Sequence, residues 1–152
     1  MEIYIDADAC PVKEEVYRVA RRYALTVHVV SNGGVRVPAE PGLRNVIVEG
    51  GLDRADDWIA EHIAAGDIAV TADIPLADRC VKRGARAIAP DGRVYTEATI
   101  GAALATRNLM TSLRETGTIT GGGRPFAKQD RSRFLNALDA AVQASRRQGG
   151  AT

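Results

Sequence analysis

Two aspartates close the first apolar run of this chain, Ile3-Tyr4-Ile5-Asp6-Ala7-Asp8-Ala9-Cys10-Pro11. Side chains two residues apart on a strand share a face, so Asp6 and Asp8 stand side by side unless the chain has already turned. Carboxylates that close repel and raise one pKa unless a cation or a shared proton neutralises them. Other acids fall at comparable places. Asp53, Asp56 and Asp57 occupy the first turn of a helical pattern, Asp73 ends the run Asp67-Ile-Ala-Val-Thr-Ala-Asp, and Asp91 follows a later apolar run. Hard divalent cations take oxygen ligands, and Mg²⁺ keeps several waters while using few carboxylates. Two such ions can clamp the attacking water and the leaving oxygen of a phosphodiester. The residue types and their spacing therefore point to metal or phosphate chemistry. Asp53 and Asp56 also suit a helix cap and the helix dipole, and Asp78 and Asp91 read as surface or turn residues. For Asp6, Asp8 and Asp73 the structural alternative is weaker, because a carboxylate that ends a buried strand must be paired or liganded.

The elements that must position these acids alternate in type. Strand patterns cover 2–6, 26–30, 45–48, 67–71 and 85–89, and helical patterns cover 11–24, 53–65, 75–83, 96–115 and 129–147. Pro11 and Pro75 open helices, Gly84 closes one, and Gly33, Gly50 and Gly92 mark turns. The stretch 33–44 reads as a loop, and Gly117 to Pro125 as a Gly/Thr connector without the lysine of a P-loop. The expected fold is α/β: a three-layer α/β/α sandwich around a mostly parallel five-stranded sheet. Parallel strands deliver their carboxyl ends to one edge, so Asp6, Asp8 and Asp73 should converge, with Asp91 nearby. Residues 1–147 read as a single domain and 148–152 as a frayed tail.

At 152 residues, with 45% hydrophobic and 26% charged side chains, the composition is that of one globular domain with a core of its own. No basic stretch leads into an apolar run and no segment approaches a membrane span, so the cytoplasm is the expected compartment and no membrane partner is expected. Cys10 and Cys80 are too few for a structural zinc site. Cys10 reads as a packed residue at a helix start, and His28 and His62 as packing or surface residues. The net charge of +1 hides a split: residues 107–152 hold eight Lys/Arg against three acids, and the preceding 106 residues hold 12 against 16.

Three motifs carry a resemblance: Asp-Ala-Asp-Ala-Cys-Pro-Val-Lys at 6–13, Gly-Leu-Asp-Arg-Ala-Asp-Asp-Trp-Ile at 51–59, and Gly-Asp-Ile-Ala-Val-Thr-Ala-Asp-Ile-Pro-Leu-Ala at 66–77. With Arg107-Asn-Leu-Met, Thr120-Gly-Gly-Gly and Lys128-Gln-Asp-Arg-Ser-Arg-Phe, they make the chain, to about residue 145, resemble the YaiI/YqxD family. Those are bacterial proteins of unknown function grouped with the PIN-like nuclease superfamily. The resemblance implies a PIN-like fold whose clustered acids bind Mg²⁺ or Mn²⁺ and cut nucleic acid, with RNA ahead of DNA. By the same resemblance Asp6, Asp57 or Asp53, and Asp73 take the three usual acidic positions. Asp6, Asp57 and Asp73 are then the catalytic set, with Asp8 and Asp53 as further metal ligands.

Two other functions compete. A haloacid-dehalogenase-type phosphatase also opens on strand–Asp-x-Asp, and Ser31-Asn32 resembles its phosphate-binding position. No lysine follows at a matching strand end, however, and Gly66-Asp67 begins its strand where that class needs it after one. A non-catalytic nucleic-acid-binding module is the other, and the complete acidic set argues against it. Few aromatics are present and they form no stacking strip, so base-specific readout is not indicated. Arg107, Arg114, Lys128, Arg131 and Arg133 lie on or beside the last two helices, and helix N-termini favour phosphate. These five are the expected contacts to a nucleic-acid backbone, unless Arg131 or Arg133 pairs with an acid of the body such as Glu97 or Glu115.

Overall fold

The computed structural model describes residues 1–51, 53–117 and 126–150. The elements follow in the order β1 (Ile3–Asp6), a 3₁₀ turn (Ala7–Ala9), α1 (Lys13–Tyr23), β2 (Val27–Ser31), β3 (Leu43–Ile47), α2 (Arg54–His62), β4 (Ile68–Val70), α3 (Ile74–Lys82), β5 (Arg86–Ile88), β6 (Val94–Tyr95), α4 (Glu97–Glu115) and α5 (Lys128–Gly150). The sheet has six strands in the order β3-β2-β1-β4-β5-β6, parallel except for the β5–β6 pair. One strand more than expected is therefore present. β6 is two residues long and follows the Pro90-Asp91-Gly92 turn directly, too short for alternation to reveal it. Helix α5 also continues to Gly150, beyond the expected end at residue 147. The connector from residue 118 to Pro125, the side chain of Arg114 and residues 151–152 fall outside the described residues.

The alternation of strand side chains divides the core into two layers. Ile3, Ile5, Val27, Val29, Ile68, Val70 and Ile88 point to the face covered by α1 and α5, where Val16, Tyr17, Phe134, Leu138 and Val142 meet them. Tyr4, Val30, Ala69 and Ala87 point to the opposite face, beneath Ile59, Leu76, Cys80 and Ile100 of α2, α3 and α4. Burying each large aliphatic side chain completely contributes about 1.5–3 kcal/mol, which makes these two layers the main source of stability. α1 reads clearly as a helix because Glu14 and Glu15 stand in its first turn and Arg21 and Arg22 in its last, each complementing the dipole.

The chain crosses from β2 to β3 without a helix. Val35 and Val37 of that connection pack against the α1 side of the core, so the loop covers the face that a crossover helix would cover. After β3 the chain reverses, passes through α2 on the other face, and enters β4 beside β1. The adjacent strands β1 and β4 are thus followed by connections leaving in opposite directions, which opens a crevice at their carboxyl ends.

At the amino end of that pair, Asp67 is buried and accepts the amides of Glu2 (2.9 Å) and Ala64 (2.9 Å), tying β1 to the approach of β4. Gly92 shows how closely α5 is pressed on the opposite end. Its φ is +94°, and a Cβ there would sit 2.8 Å from the carbonyl carbon of Arg133. We expect Asp67→Ala to lose about 2–3 kcal/mol in urea unfolding, because two amides are left facing a buried gap. A loss under about 0.5 kcal/mol would mean that β1 and β4 do not rely on this carboxylate.

Candidate acidic site at the strand ends

The site is built on a short polar relay at the ends of β1 and β4. Ile5 pairs with Val70, so the next residues, Asp6 and Thr71, meet at the sheet edge. The buried Thr71 hydroxyl donates to Asp6 Oδ2 at 2.9 Å and accepts the amide of Asp73 at 3.0 Å. Asp73 in turn is the N-cap of α3, its Oδ1 accepting the Leu76 amide at 3.0 Å, with Pro75 inside the first turn. Each carboxylate is thereby fixed by its neighbour. The Asp6 carboxyl is pushed above its ordinary pKa, first by burial and then by the charges of Asp73 and Asp8, while the Thr71 hydrogen bond acts the other way.

A third acid completes the arrangement from α2, in the same helical layer as α3. Asp56, in the first turn of α2, hydrogen-bonds to Asp73 and is pushed up to about 7 by burial, by the charges of Asp6 and Asp73, by that hydrogen bond, and by Asp53. Two carboxyl groups can hydrogen-bond only when one carries a proton. Asp6, Asp56 and Asp73, drawn from three elements, thus come together as three acidic groups in the crevice between β1 and β4, with no basic partner among the described residues.

The other expected site residues lie elsewhere. Asp8 does not share a face with Asp6, because the chain turns at once into the 3₁₀ segment. Its carboxylate instead accepts the amide of Asn32 (3.0 and 3.3 Å) at the end of β2. Asp53 precedes α2 with φ +70° and makes no side-chain cap, so it stays exposed beside Asp56. Asp57 is turned outward to Arg79 at 2.9 Å. Consecutive helix positions differ by about 100°, and Ala55 and Ile59 face the core, which sends Asp56 and not Asp57 toward the sheet edge. Asp91 accepts the amide of Arg93 within the β5–β6 turn.

The basic residues divide similarly. Arg131 donates to the carbonyl of Pro11 (2.7 Å) and to Glu15 (3.2 Å) and stacks over Phe126, fastening the start of α5 to the start of α1. Arg133 stands 3.8 Å from Asp130 and is largely exposed, as are Lys128 and Arg107. With Arg131 on Pro11 and Arg133 against Gly92, the start of α5 lies at the same sheet edge as the acids.

Sequence reasoning missed Asp56 as a site residue and Thr71 altogether. The Thr-x-Asp pattern held the signal for Thr71: a hydroxyl at a buried strand end, level with an aspartate on the neighbouring strand. The donor chemistry fits a hard cation, since every candidate ligand is an oxygen and the raised Asp56 carboxyl, buried beside the charges of Asp6 and Asp73, would be relieved by positive charge. Among the described residues no three acidic, cysteine or histidine side chains stand as a ready cage, so the fit is to an open site rich in water rather than an enclosed one.

Comparison with known proteins agrees with the motifs. Residues 4–144 match the family described as an uncharacterised bacterial YaiI/YqxD family. A UPF0178 protein of Azorhizobium caulinodans is 59% identical over 150 residues, covering 99% of this chain and 94% of its own. One from Rhodopseudomonas palustris is 62% identical over 141 residues (93% and 89%), and one from Rhodospirillum rubrum 57% over 148 residues (97% and 99%). No solved structure matches. Among the described residues no helix is long and apolar enough to cross a membrane.

The raised Asp56 pKa has a consequence for stability. Between about pH 4 and 7 the folded chain holds a proton that the unfolded chain has released, so folding weakens as pH rises through that window. We expect Asp56→Asn, in EDTA, to melt above the wild type at about pH 8, by about 2–4 °C, and to lose that advantage at about pH 4. Equal differences at both pH values would show that Asp56 is not held near its neighbours' charge.

Proposed function

The chain belongs to the YaiI/YqxD family of uncharacterised bacterial proteins, and we propose that it is a Mg²⁺- or Mn²⁺-dependent nuclease of PIN-like type, hydrolysing phosphodiester bonds in RNA ahead of DNA. The observation that carries this reading is the set of three electrostatically coupled carboxyls at the β1–β4 crevice, Asp6, Asp56 and Asp73, which among the described residues are met by hydroxyl, amide and carboxyl groups. Among the described residues no ammonium or guanidinium pairs with them. Lys13, the nearest lysine in sequence, is occupied by the carbonyls of Ala7 and Cys10.

In this reading Asp6, Asp73 and Asp56 hold the cation, and Asp8 and Asp53 stand at the rim. The cation supplies Lewis-acid polarisation of the phosphoryl oxygen and a water made acidic enough to attack at neutral pH. The chain's own residues do the positioning. Thr71 fixes the orientation of Asp6 through its hydroxyl, and the α3 N-terminus fixes Asp73. Asp56, raised to about 7, would have to be deprotonated to serve as a ligand, so acid would oppose binding of a cation there. Lys128, Arg133 and Arg107 are placed to hold phosphates of the strand, which offsets the repulsion between an anionic substrate and an acidic cleft. Arg131 contributes charge at the same edge but is committed to Pro11 and Glu15, and Arg114 belongs to the same basic segment.

The test is cleavage of labelled RNA in Mn²⁺. We expect Asp6→Asn and Asp56→Asn each to lower the rate at least about 100-fold and Thr71→Val to lower it about 10- to 100-fold, the cost of removing an outer-shell partner. Asp57→Asn should stay within about twofold of wild type, since its ion pair with Arg79 is exposed. Equal losses for Asp56 and Asp57 would overturn the assignment. A stable phosphoryl or beryllofluoride adduct on Asp6 would replace hydrolysis by water with a phospho-aspartate mechanism.

A further inference from the structure

A cavity of about 560 Å³ opens beside the acidic crevice, between the start of α3, β6 and α4. Its size is within the range of small-molecule sites. Ile74, the residue after Asp73, and the buried Tyr95 line one side, while Ala103, Thr106 and Met110 line the other. The spacing of Thr99, Ala103, Thr106 and Met110 is that of one helix face, so the hollow exists because α4 presents small residues where it crosses Ile74. Arg93 and Arg107 belong to the lining as well, and no acidic residue does. Arg93 is well exposed and only 4.0 Å from Asp91, too loose an ion pair to hold its guanidinium in place.

An apolar hollow edged by two arginines complements a ligand with a flat apolar body and anionic groups on either side. Among the parts of an RNA or DNA strand, only an unpaired nucleotide presents that combination, because a base in a duplex is stacked and its faces are covered. We infer that this cavity takes one unstacked base of a single-stranded nucleic acid, with Arg93 and Arg107 on the flanking phosphates. Since Ile74 and Asp73 are consecutive, a base seated against Ile74 brings an adjoining phosphate toward the acidic crevice. The pocket then selects single strands over duplex without reading sequence, as small side chains and aliphatic walls offer few base-edge contacts. This inference rests on the reading of the crevice as a site of phosphodiester hydrolysis.

The experiment is fluorescence anisotropy with a six-nucleotide labelled oligouridine, in EDTA so that binding is measured without any metal, against the same strand carrying abasic riboses. Thr106→Trp fills the cavity from an exposed helix position, where the larger side chain leaves the fold intact. The wild type should bind the ordinary strand about tenfold tighter than the abasic one, from burying about 50–60 Å² of the base's apolar face in the hollow. Thr106→Trp should bind both equally, at the abasic level. Arg107→Gln should lower the slope of log K against log salt by about 0.7, the value for one single-strand phosphate contact. The inference is overturned if the wild type does not bind, if it ignores the loss of bases, if Thr106→Trp binds as the wild type does, or if that variant instead turns a dimer into a monomer by sedimentation. Mn²⁺ titration of Asp6→Asn is read separately. Normal binding there would remove the catalytic reading while the base-dependent anisotropy still reports on the pocket.

Discussion

Parallel pairing of β1 with β4 brings Asp6 level with Thr71 at the sheet edge, and the whole acidic site depends on that adjacency. Two carboxylates would drift apart on a flexible loop to relieve their repulsion. Here they cannot, because Asp6 ends a fully buried strand, Thr71 is buried between it and Asp73, and Asp73 is committed to capping α3. Burial, with that repulsion added to it, therefore raises the proton affinity of Asp6 and Asp56 in the native state. The folding energy that holds it comes from the two apolar layers on either side of the sheet, which bury Ile3, Ile5, Ile68 and Val70 completely. A site in this condition gains from any positive charge that enters it.

The basic residues answer the same electrostatics at longer range. The start of α5 is held at the acidic edge by two contacts of different kinds, Arg131 on the Pro11 carbonyl and Gly92 closing on the backbone of Arg133. Arg131 thus serves the structure with its guanidinium while still contributing charge at the edge. Lys128 and Arg133 project into solvent beside it, and Arg107 stands on α4 across the cavity from Ile74. An acidic body with a basic rim is the arrangement a polyanion needs if it is to approach carboxylates without being expelled.

Much of this was legible in the sequence because strong local signals agreed with the tertiary outcome. The run Ile3-Tyr4-Ile5 and the alternating strand and helix patterns led directly to a parallel sheet, and Thr71-Ala72-Asp73 with Pro75 marked a strand end and a helix start. The differences at the acids share a physical origin in rotations of a single residue. Whether Asp56 or Asp57 faces the sheet edge turns on about 100° of helix phase, and Ala55 and Ile59 set that phase through packing that local pattern resolves only to within a residue. Asp8 left the face of Asp6 because the strand gave way to a 3₁₀ turn within one residue. β6 is held by two pairs with β5, Ala87 with Tyr95 and Ile88 with Val94, and no periodicity can be read from two residues. Arg131 was expected to bind either phosphate or an acid of the body. It found Glu15, whose proximity depends on how α5 lies along α1.

A cation held between Asp6 and Asp73, with Asp56 as the third oxygen donor, is tested most directly by anomalous diffraction at the manganese edge from crystals soaked in MnCl₂. The expected result is a peak in the β1–β4 crevice within about 2.0–2.6 Å of oxygens from Asp6 and Asp73, the span of hard-cation bonds to oxygen, with waters completing the coordination. A crevice without a peak at saturating Mn²⁺, or a peak at Asp8 and Asp53 only, would contradict a metal centre built on the ends of β1 and β4.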